Sequence, residues 1–351
     1  MKVLMRGNEA IAEGAVYAGC KYFFSYPITP QSEILHYMAR RLPEVGGVFL
    51  QADSETAAIN MVFGASACGV RVMTASSGPG ISLKQEGISY LSAAELPCVI
   101  VNVMRGGPGL GGVQPAQSDY FQATRGGGHG DYRNIVLAPS NVQECFDFTK
   151  LGFDLADKYR TPVMIIIDGA LGQMMEDIEI PEFKEPDLPD KPWALGKGKF
   201  GAPNHITSMH LDPEDLEKHN LHLLMTYEEI SFNEQRWDSL MLEDAEIVLV
   251  GYGTVGRILE GVTKIARERD IKVGCIRPIT LYPFPAFAFT SLSQSVKAIL
   301  TVEMSLGQMI EDVKLTINGK YPVYFYGRVG IVPTYVEILD QLLQVVQEVK
   351  L

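Results

Sequence analysis

Apolar and polar positions along residues 1–172 follow a rhythm that predicts strands and helices in turn. Short apolar runs predict strands over 22–26, 48–51, 71–75, 97–104, 135–138 and 162–168. Patterns typical of helices lie between them, over 9–18, 55–67, 81–93 and a long stretch ending at 159. Because strands alternate with helices, the fold class is α/β, with a parallel sheet covered by helices on both faces.

Three polar residues stand where helix starts are expected. Asn8 precedes the first helical pattern, Ser140 precedes the long one, and Thr29 is followed by Pro30. Short polar side chains are favoured at the N-cap, and proline is favoured at the first helical position. We therefore predict that Asn8, Thr29 and Ser140 cap the helices that follow them.

The pattern changes after residue 175. Five prolines stand among acids and lysines at Pro181, Pro186, Pro189, Pro192 and Pro203, which indicates a linker or extended arm. Residues 205–243 are polar and partly helical in pattern, and alternation restarts at 245. The predicted organisation is a first α/β domain over 1–175, a linker over 176–243 and a smaller α/β domain over 244–351.

Four loops of the first domain follow predicted strands and carry glycine, proline, hydroxyls or single charges. They are residues 25–30, 51–55, 77–80 and 105–109. In an open α/β sheet, ligands bind outside the carboxyl ends of the strands. The four loops are therefore predicted to share one cleft.

Three residues of these loops are candidates for chemistry, each with a structural alternative. Glu55 is either a helix-start acid that complements the helix dipole or a carboxylate that binds a protonated ring nitrogen. Arg105 either grips a ligand carboxylate or forms a salt bridge at the sheet edge. Thr29 either donates to the same carboxylate or only caps its helix.

Residues 251–256 match the pattern G-x-G-x-x-G between a predicted strand and a predicted helix. That context suits a dinucleotide site, but Arg277-Pro278 stands where an acid is expected at the end of the next strand. The alternatives are a nicotinamide site and a tight turn with close helix–strand packing.

Composition narrows the class of partner. The formal charge of −12 argues against nucleic acid or an anionic membrane as a partner, and against a landing surface for an acidic electron carrier.

The five cysteines form no Cys-x-x-Cys pair, so we expect buried free thiols and no iron–sulfur cluster on this chain. Four histidines at 205, 210, 219 and 222 are expected to be solvated rather than to bind metal. No segment matches a signal peptide or a membrane span, which predicts a cytoplasmic protein.

Taken together, the loops resemble the alpha subunit of 2-oxoacid:ferredoxin oxidoreductases. The resemblance rests on Tyr26-Pro27-Ile28-Thr29-Pro30, Ser54-Glu55, Ser77-Gly78-Pro79-Gly80-Ile81-Ser82 and Arg105-Gly106-Gly107-Pro108 in order. Residues 106–132 look most like the branched-chain type, which acts on 3-methyl-2-oxobutanoate (2-ketoisovalerate).

The resemblance implies a fold and a set of site residues. The first domain is similar to the pyrimidine-binding domain of thiamine-diphosphate enzymes, and the second resembles a transketolase C-terminal domain. Glu55 takes the role of the acid that hydrogen-bonds the aminopyrimidine, while Arg105 and Thr29 match the positions that hold the 2-oxoacid carboxylate. The residues expected at the cofactor are Tyr26, Pro27, Ile28, Ser77, Gly78, Pro79 and Gly80 together with Glu55.

The resemblance also implies partners. No Gly-Asp-Gly motif for magnesium and diphosphate is present, and Ile167-Asp168-Gly169 is the nearest match. A beta subunit is therefore expected to carry the diphosphate-binding domain and magnesium. Gamma and ferredoxin-like subunits are expected to complete the complex, with the iron–sulfur clusters on partner subunits and ferredoxin and coenzyme A as co-substrates. The chain alone is predicted to be inactive.

Substrate choice is argued from one loop. Residues 106–124 contain no lysine or arginine, whereas the distal carboxylate of 2-oxoglutarate would require a second cation. A branched apolar 2-oxoacid is therefore favoured, with 2-oxoglutarate as the alternative. A nicotinamide enzyme that uses residues 251–256 and a non-catalytic scaffold are the competing functions.

Overall fold

The computed structural model describes residues 2–196, 204–290 and 292–350. The first domain is built on a seven-stranded sheet with the strand order β12-β6-β7-β5-β4-β2-β3. All neighbouring pairs are parallel except β12, which runs antiparallel to β6. The strands are β2 (Tyr22–Ser25), β3 (Val48–Gln51), β4 (Val72–Ser76), β5 (Val99–Met104), β6 (Ile135–Leu137), β7 (Val163–Asp168) and β12 (Thr280–Tyr282).

Helices cover both faces of this sheet. Every residue of β5 and β7 is buried, as expected for central parallel strands. One face packs on α1 and α6 and the other on α3 and α4, each with its own apolar core. The α/β class is confirmed. The helices are α1 (Gly7–Tyr17), α2 (Ser32–Glu44), α3 (Glu55–Ala67), α4 (Pro79–Ala93), α5 (Tyr120–Arg125), α6 (Val142–Tyr159) and α7 (Gly169–Gln173).

The second domain has a five-stranded sheet in the order β14-β13-β10-β11-β9, with β9 as the antiparallel edge. The strands β10, β11, β13 and β14 are parallel, as the sequence pattern predicts. The elements are β9 (Trp237–Leu240), β10 (Ile247–Val250), α9 (Gly253–Arg267), β11 (Val273–Pro278), α10 (Phe287–Thr290), β13 (Ala298–Glu303), α11 (Met309–Ile317), β14 (Val323–Gly327) and α12 (Tyr335–Glu348).

The range 176–243 contains regular structure that joins it to both domains. The strand β8 (Met175–Glu179) pairs antiparallel with β1 (Lys2–Arg6), and the long helix α8 (Pro213–Asn233) buries Leu223, Tyr227 and Ile230 in the larger core. Residues 180–190 have no regular structure, in keeping with an extended arm, whereas Pro203 lies outside the described residues. The division into 1–175, 176–243 and 244–351 stays a prediction.

All three predicted N-caps are wrong by one or two residues. The helix α1 is capped by Arg6, α2 by Gln31 and α6 by Asn141. Asn8 instead donates from Nδ2 to the Pro30 carbonyl at 2.8 Å, so its side chain joins two segments rather than ending a helix. The Ser140 hydroxyl donates to Glu144 at 3.0 Å, while the Asn141 side chain accepts from the Glu144 amide.

Candidate active site

Glu55 is the first residue of α3, but the helix does not depend on it for a cap. The Ser54 side chain accepts a hydrogen bond from the Ala57 amide at 3.1 Å and closes the first turn. Glu55 is only 6% exposed, yet within the described residues no group donates a hydrogen bond to its carboxylate. A buried carboxylate with open acceptor positions is poised for a ligand.

The turn between β4 and α4 lies against this carboxylate. A Cβ atom on Gly80 would stand 2.7 Å from Glu55 Oε1 and 2.2 Å from Ser76 Oγ, so the backbone approaches both groups too closely for any side chain. Gly78 has a φ of +46°. The hydroxyls of Ser76 and Ser77 are buried and without a partner in the described chain. These are unfilled polar positions around Glu55.

Arg105 connects two further loops to this turn. Its Nη1 donates to the Thr29 carbonyl at 2.9 Å and its Nη2 to the Leu110 carbonyl at 3.1 Å. Its Nε is buried and unpartnered, and a Cβ on Gly78 would lie 3.3 Å from it. The side chain is 8% exposed and makes no salt bridge within the described residues. The guanidinium therefore keeps free N–H groups while it holds the loops together.

The segment 26–30 forms the rim of the cleft. Tyr26, Pro27 and Thr29 are exposed and Ile28 is half-buried. Because α2 begins at Ser32 and is capped by Gln31, Thr29 does not cap it, and its hydroxyl is free of that role. Thr29 borders a cavity of about 440 Å³ that Pro30, Gln114, Pro115 and Gly169 also line. The structure thus brings Thr29, Ser77–Gly80, Glu55 and Arg105 into one strand-end cluster, which we call the strand-end cleft.

Lys84 belongs to the same neighbourhood, although the sequence analysis did not single it out. It lies one helical turn after Gly80 on α4, is fully buried, and its Nζ donates to Thr74 Oγ1 at 3.0 Å. Burial lowers the pKa of Lys84 to about 7, and the nearby charge of Glu55 partly opposes that shift. A signal was available, because 81, 84 and 88 fall on one apolar helical stripe where a lysine is out of place.

The glycine-rich turn of the second domain is already filled. A Cβ on Gly256 would lie 2.7 Å from Arg277 Cγ, and Gly251 packs equally closely on Leu259. Above this turn, Gln117 donates from Nε2 to the Tyr252 carbonyl at 2.9 Å and accepts from the Met304 amide at 3.0 Å. The residues 251–256 therefore form a tightly packed turn, and a side chain of the first domain hydrogen-bonds its backbone.

Asp168, the nearest match to a metal-binding aspartate, serves as a helix cap. Its Oδ1 accepts from the Ala170 amide at 3.0 Å and the Leu171 amide at 3.2 Å, and it is buried. Desolvation raises the pKa of this carboxyl. No cluster of three or more metal-ligating side chains is found in residues 2–196, 204–290 and 292–350.

The cysteines and histidines have structural surroundings. Four thiols are buried and free, whereas Cys68 is exposed at the end of α3, against the expectation of burial. Burial raises the pKa of Cys20 to about 12. His219 Nε2 contacts the Ala93 carbonyl at 2.7 Å and its ring stacks on His210, while His222 pairs with Glu95 at 2.9 Å. The histidines thus pack α8 against the end of α4.

Two family models match the chain. Residues 13–218 match "Pyruvate flavodoxin/ferredoxin oxidoreductase, thiamine diP-bdg", and residues 245–338 match "Pyruvate:ferredoxin oxidoreductase core domain II". The chain is 53% identical to the ketoisovalerate oxidoreductase subunit VorB of Methanothermobacter marburgensis, with 93% of both chains covered. It is 39% identical to the 2-oxoglutarate synthase subunit KorA of Methanothermobacter thermautotrophicus, covering 93% of this chain and 94% of that one.

Solved structures agree with these matches. A 2-oxoglutarate:ferredoxin oxidoreductase from Magnetococcus marinus superposes with a TM-score of 0.89 at 26% identity, over 98% of this chain and 65% of that one. A split-gene transketolase, at 14% identity and a TM-score of 0.62 over 97% of this chain and 96% of that one, shares the fold alone.

The fold and the matching family models define a thiamine-diphosphate-binding α/β protein. The chain belongs to the 2-oxoacid:ferredoxin oxidoreductases, as an alpha subunit that acts within a complex and resembles VorB. The described residues contain no helix long and apolar enough to cross a membrane.

Proposed function

We propose that this subunit supplies the pyrimidine half of the thiamine site and the grip on the 2-oxoacid carboxylate, for oxidative decarboxylation of a branched-chain 2-oxoacid to acyl-coenzyme A. The observation that carries the proposal is the buried Glu55 carboxylate, which no described residue contacts by hydrogen bond and which the Gly80 backbone approaches closely. The electrons pass to ferredoxin.

The residues of the cleft fit the pyrimidine end of thiamine diphosphate. Glu55 offers a hydrogen-bond acceptor for a ring nitrogen, and the unpartnered Ser76 and Ser77 hydroxyls lie beside it. Gly78 and Gly80 leave backbone in place of side chains, so a flat ring can approach. Tyr26, Pro27 and Ile28 lie on the rim, and Pro79 starts α4 beside Gly78.

The role proposed for Glu55 is to stabilise the protonated form of the bound pyrimidine ring. When bound, thiamine diphosphate supplies the nucleophile and the electron sink for loss of carbon dioxide. The Glu55 carboxylate accepts a hydrogen bond from the pyrimidine nitrogen and favours the protonated ring. Because Glu55 is buried, this charge-assisted hydrogen bond would be stronger than it is in solution.

Arg105 and Thr29 are assigned the substrate carboxylate. The Arg105 Nε and the second hydrogens of its Nη atoms are unused, so the guanidinium can donate to an anion while it still holds the Thr29 and Leu110 carbonyls. The Thr29 hydroxyl is exposed on the rim, within reach of the same ligand. These groups would orient the substrate and offset its charge.

A partner subunit is proposed to close the cleft and bring the diphosphate half of the site. Apolar side chains are exposed around the cleft, on the open edge strand β3 and on the neighbouring loops and helix; they are Tyr26, Leu50, Leu83, Leu110 and Val113. Exposed apolar surface around a site marks a protein interface. Since Asp168 is used in capping and the cysteines are dispersed, magnesium and the iron–sulfur clusters are assigned to beta, gamma and ferredoxin-like subunits. The proposed location of the complex is the cytoplasm.

The proposed substrate is 3-methyl-2-oxobutanoate. The loop 106–124 has no lysine or arginine, and its exposed side chains Leu110 and Val113 suit an apolar tail. The VorB relatives share 51–53% of residues with this chain, against 39% for the KorA relative of Methanothermobacter thermautotrophicus. In the assembled complex, kcat/KM for 3-methyl-2-oxobutanoate should exceed that for 2-oxoglutarate by roughly 100-fold. A preference for 2-oxoglutarate would contradict this assignment.

Glu55→Gln in the assembled complex tests the catalytic proposal. The amide keeps the shape of the side chain but loses the charge, so dye reduction should fall by roughly 100-fold or more. Glu44→Gln, at the end of α2 and away from the cleft, is the matched control and should keep full activity. A fully active Glu55→Gln complex would leave only a scaffold role for this chain.

A further inference from the structure

We propose that Lys84 is a positioning residue for Glu55, a buried cation that keeps the carboxylate ionised while Glu55 holds the protonated pyrimidine ring. This inference rests on the proposed function, because it needs Glu55 to be the pyrimidine ligand. Nothing in the resemblance to other thiamine enzymes assigns Lys84 a part.

The fold places Lys84 beside the strand-end cleft. Gly80 and Lys84 are four residues apart on α4 and therefore share one helix face. Gly80 approaches Glu55 and Ser76, whereas Lys84 reaches Thr74, two residues earlier on β4. Thr74 and Ser76 project from the same face of that strand, because side chains alternate along it. Lys84 thus lies next to the group formed by Gly80, Ser76 and Glu55, one helical turn further along α4.

A fully buried lysine without an ion-pair partner needs an explanation. Lys84 makes one hydrogen bond, to Thr74 Oγ1, and no carboxylate lies within salt-bridge distance of it in the described residues. Burial of an unpaired ammonium is costly, and apolar residues of similar volume fill such positions elsewhere in the core. By contrast, the buried Lys191 is paired with Asp157 at 2.5 Å.

The charges around Lys84 are few. From α3 the group that acts on it is Glu55; from β4 it meets the Thr74 hydroxyl; and on its own helix Glu86 faces solvent. Burial lowers the pKa of Lys84 to about 7, so the amine changes charge within the working range of an enzyme. Two interacting groups titrate as a pair, and removal of one moves the titration of the other.

The test uses the assembled complex with Lys84→Met, a neutral residue of similar length. The acid limb of the pH–rate profile should move to higher pH by about one unit, because the carboxylate loses its cation. The kcat should fall about tenfold with little change in KM for the 2-oxoacid. In the absence of substrate, the pH at which the near-ultraviolet circular dichroism of bound thiamine diphosphate changes should move in the same direction.

Lys191→Met is the matched control, since it removes a buried lysine far from the cleft. It should lower thermal stability without moving either pH profile. If Lys84→Met does not assemble, Thr74→Val decides, because it withdraws the one hydrogen-bond acceptor of Lys84 and should move both profiles in the same direction by a smaller amount. Profiles of Lys84→Met or Thr74→Val that coincide with the wild type would overturn the inference.

The two proposals fail in different ways. Full activity of Glu55→Gln would refute the assignment of Glu55, and with it the role of Lys84. An inactive Glu55→Gln together with an unchanged profile for Lys84→Met or for Thr74→Val would refute the role of Lys84 alone.

Discussion

The chain contains two glycine-rich turns that each join a parallel strand to a helix, and their surroundings are opposite. Around Gly78 and Gly80, the polar groups of Glu55, Ser76 and Arg105 keep open hydrogen-bonding positions. Around Gly251, Gly253 and Gly256, the space is occupied by Leu259, Gln117 and Arg277 in turn, and the Gln117 amide hydrogen-bonds the Tyr252 carbonyl and the Met304 amide. Glycine at a strand end therefore signals close approach, and only the neighbouring side chains decide whether a ligand or the protein itself makes that approach.

The largest effect is expected at Arg105. Arg105→Met removes the buried charge from the open turn, and kcat/KM for the 2-oxoacid should fall. The fall should correspond to a loss of about 2–5 kcal/mol of transition-state stabilisation. Steady-state kinetics of the assembled complex would measure this loss, and Arg105→Lys, which keeps the charge but not the forked donors, should recover only part of it. An unchanged kcat/KM with a lower melting temperature would mean that Arg105 serves only to hold its loops.

Gly80→Ala should lower the activity of the complex and its affinity for thiamine diphosphate. The new methyl group would meet Glu55 Oε1 at 2.7 Å, so the carboxylate must move, and a shift of about 1 Å can cost roughly 100-fold in activity. Calorimetric titration with thiamine diphosphate should show weaker binding by the complex. Tight binding and normal turnover would mean that Glu55 is not held against this turn during catalysis.

Gly256→Ala, the counterpart in the filled turn, should act on stability. Its methyl group would meet Arg277 Cγ at 2.7 Å and the Gly251 carbonyl at 2.8 Å, and overpacking of this kind costs about 1–3 kcal/mol. Urea denaturation should show the loss, while the affinity for thiamine diphosphate stays unchanged. Nicotinamide cofactor should not alter the denaturation midpoint of the wild type, and a clear increase would revive the dinucleotide alternative.

Gln117→Leu should weaken the contact between the domains. The change leaves the Tyr252 carbonyl and the Met304 amide without their partner, which costs about 1–3 kcal/mol. The melting temperature is the measurement, and Gln143→Leu on the exposed face of α6 serves as the control. A melting temperature equal to the wild type would show that the filled turn does not depend on this side chain.

The smallest effect is the change of stability over one unit of pH. The pKa of Lys84 is about 7 in the folded chain and 10.5 for an unperturbed lysine, so between these values the unfolded chain binds more protons. The free energy of unfolding should therefore rise with pH over this window, by at most about 1.4 kcal/mol per unit. Denaturation at pH 7 and pH 9 should show this rise in the wild type but not in Lys84→Met.

Most of the fold could be predicted from period and composition. The predicted helix over 55–67 has the bounds that the structure has, and Ser54 caps it directly before its first residue. The predictions of Ser140 and Asn8 as N-caps are wrong for different reasons: Asn141, next to Ser140, accepts from the Glu144 amide, and Asn8 makes a tertiary hydrogen bond to the Pro30 carbonyl. The prediction of Thr29 is wrong because α2 begins only at Ser32. Local propensity cannot anticipate a bond between residues 22 positions apart.

The candidate site also has parts that the sequence predicts and parts that it does not. The strand-end loops were visible as motifs, and their convergence follows from the parallel order of β2, β4 and β5. The clamp of Arg105 on the Thr29 and Leu110 carbonyls was not visible, because backbone acceptors carry no sequence signature. The insertion of Gln117 into the second domain was also missed, since its partners are more than 130 residues away.

The strand β12 carries a consequence for motion. The chain leaves the second domain at Pro278, pairs through Thr280 with Leu137 in the sheet of the first domain, and receives a hydrogen bond from the Ala138 amide at Ile279. A hinge motion between the domains would have to break this pairing as well as the contacts of Gln117. Closure of one domain on the other would therefore have a high free-energy cost. In the proposed complex, opening and closing of the cleft would therefore fall to loops such as 106–112 rather than to a hinge between the domains.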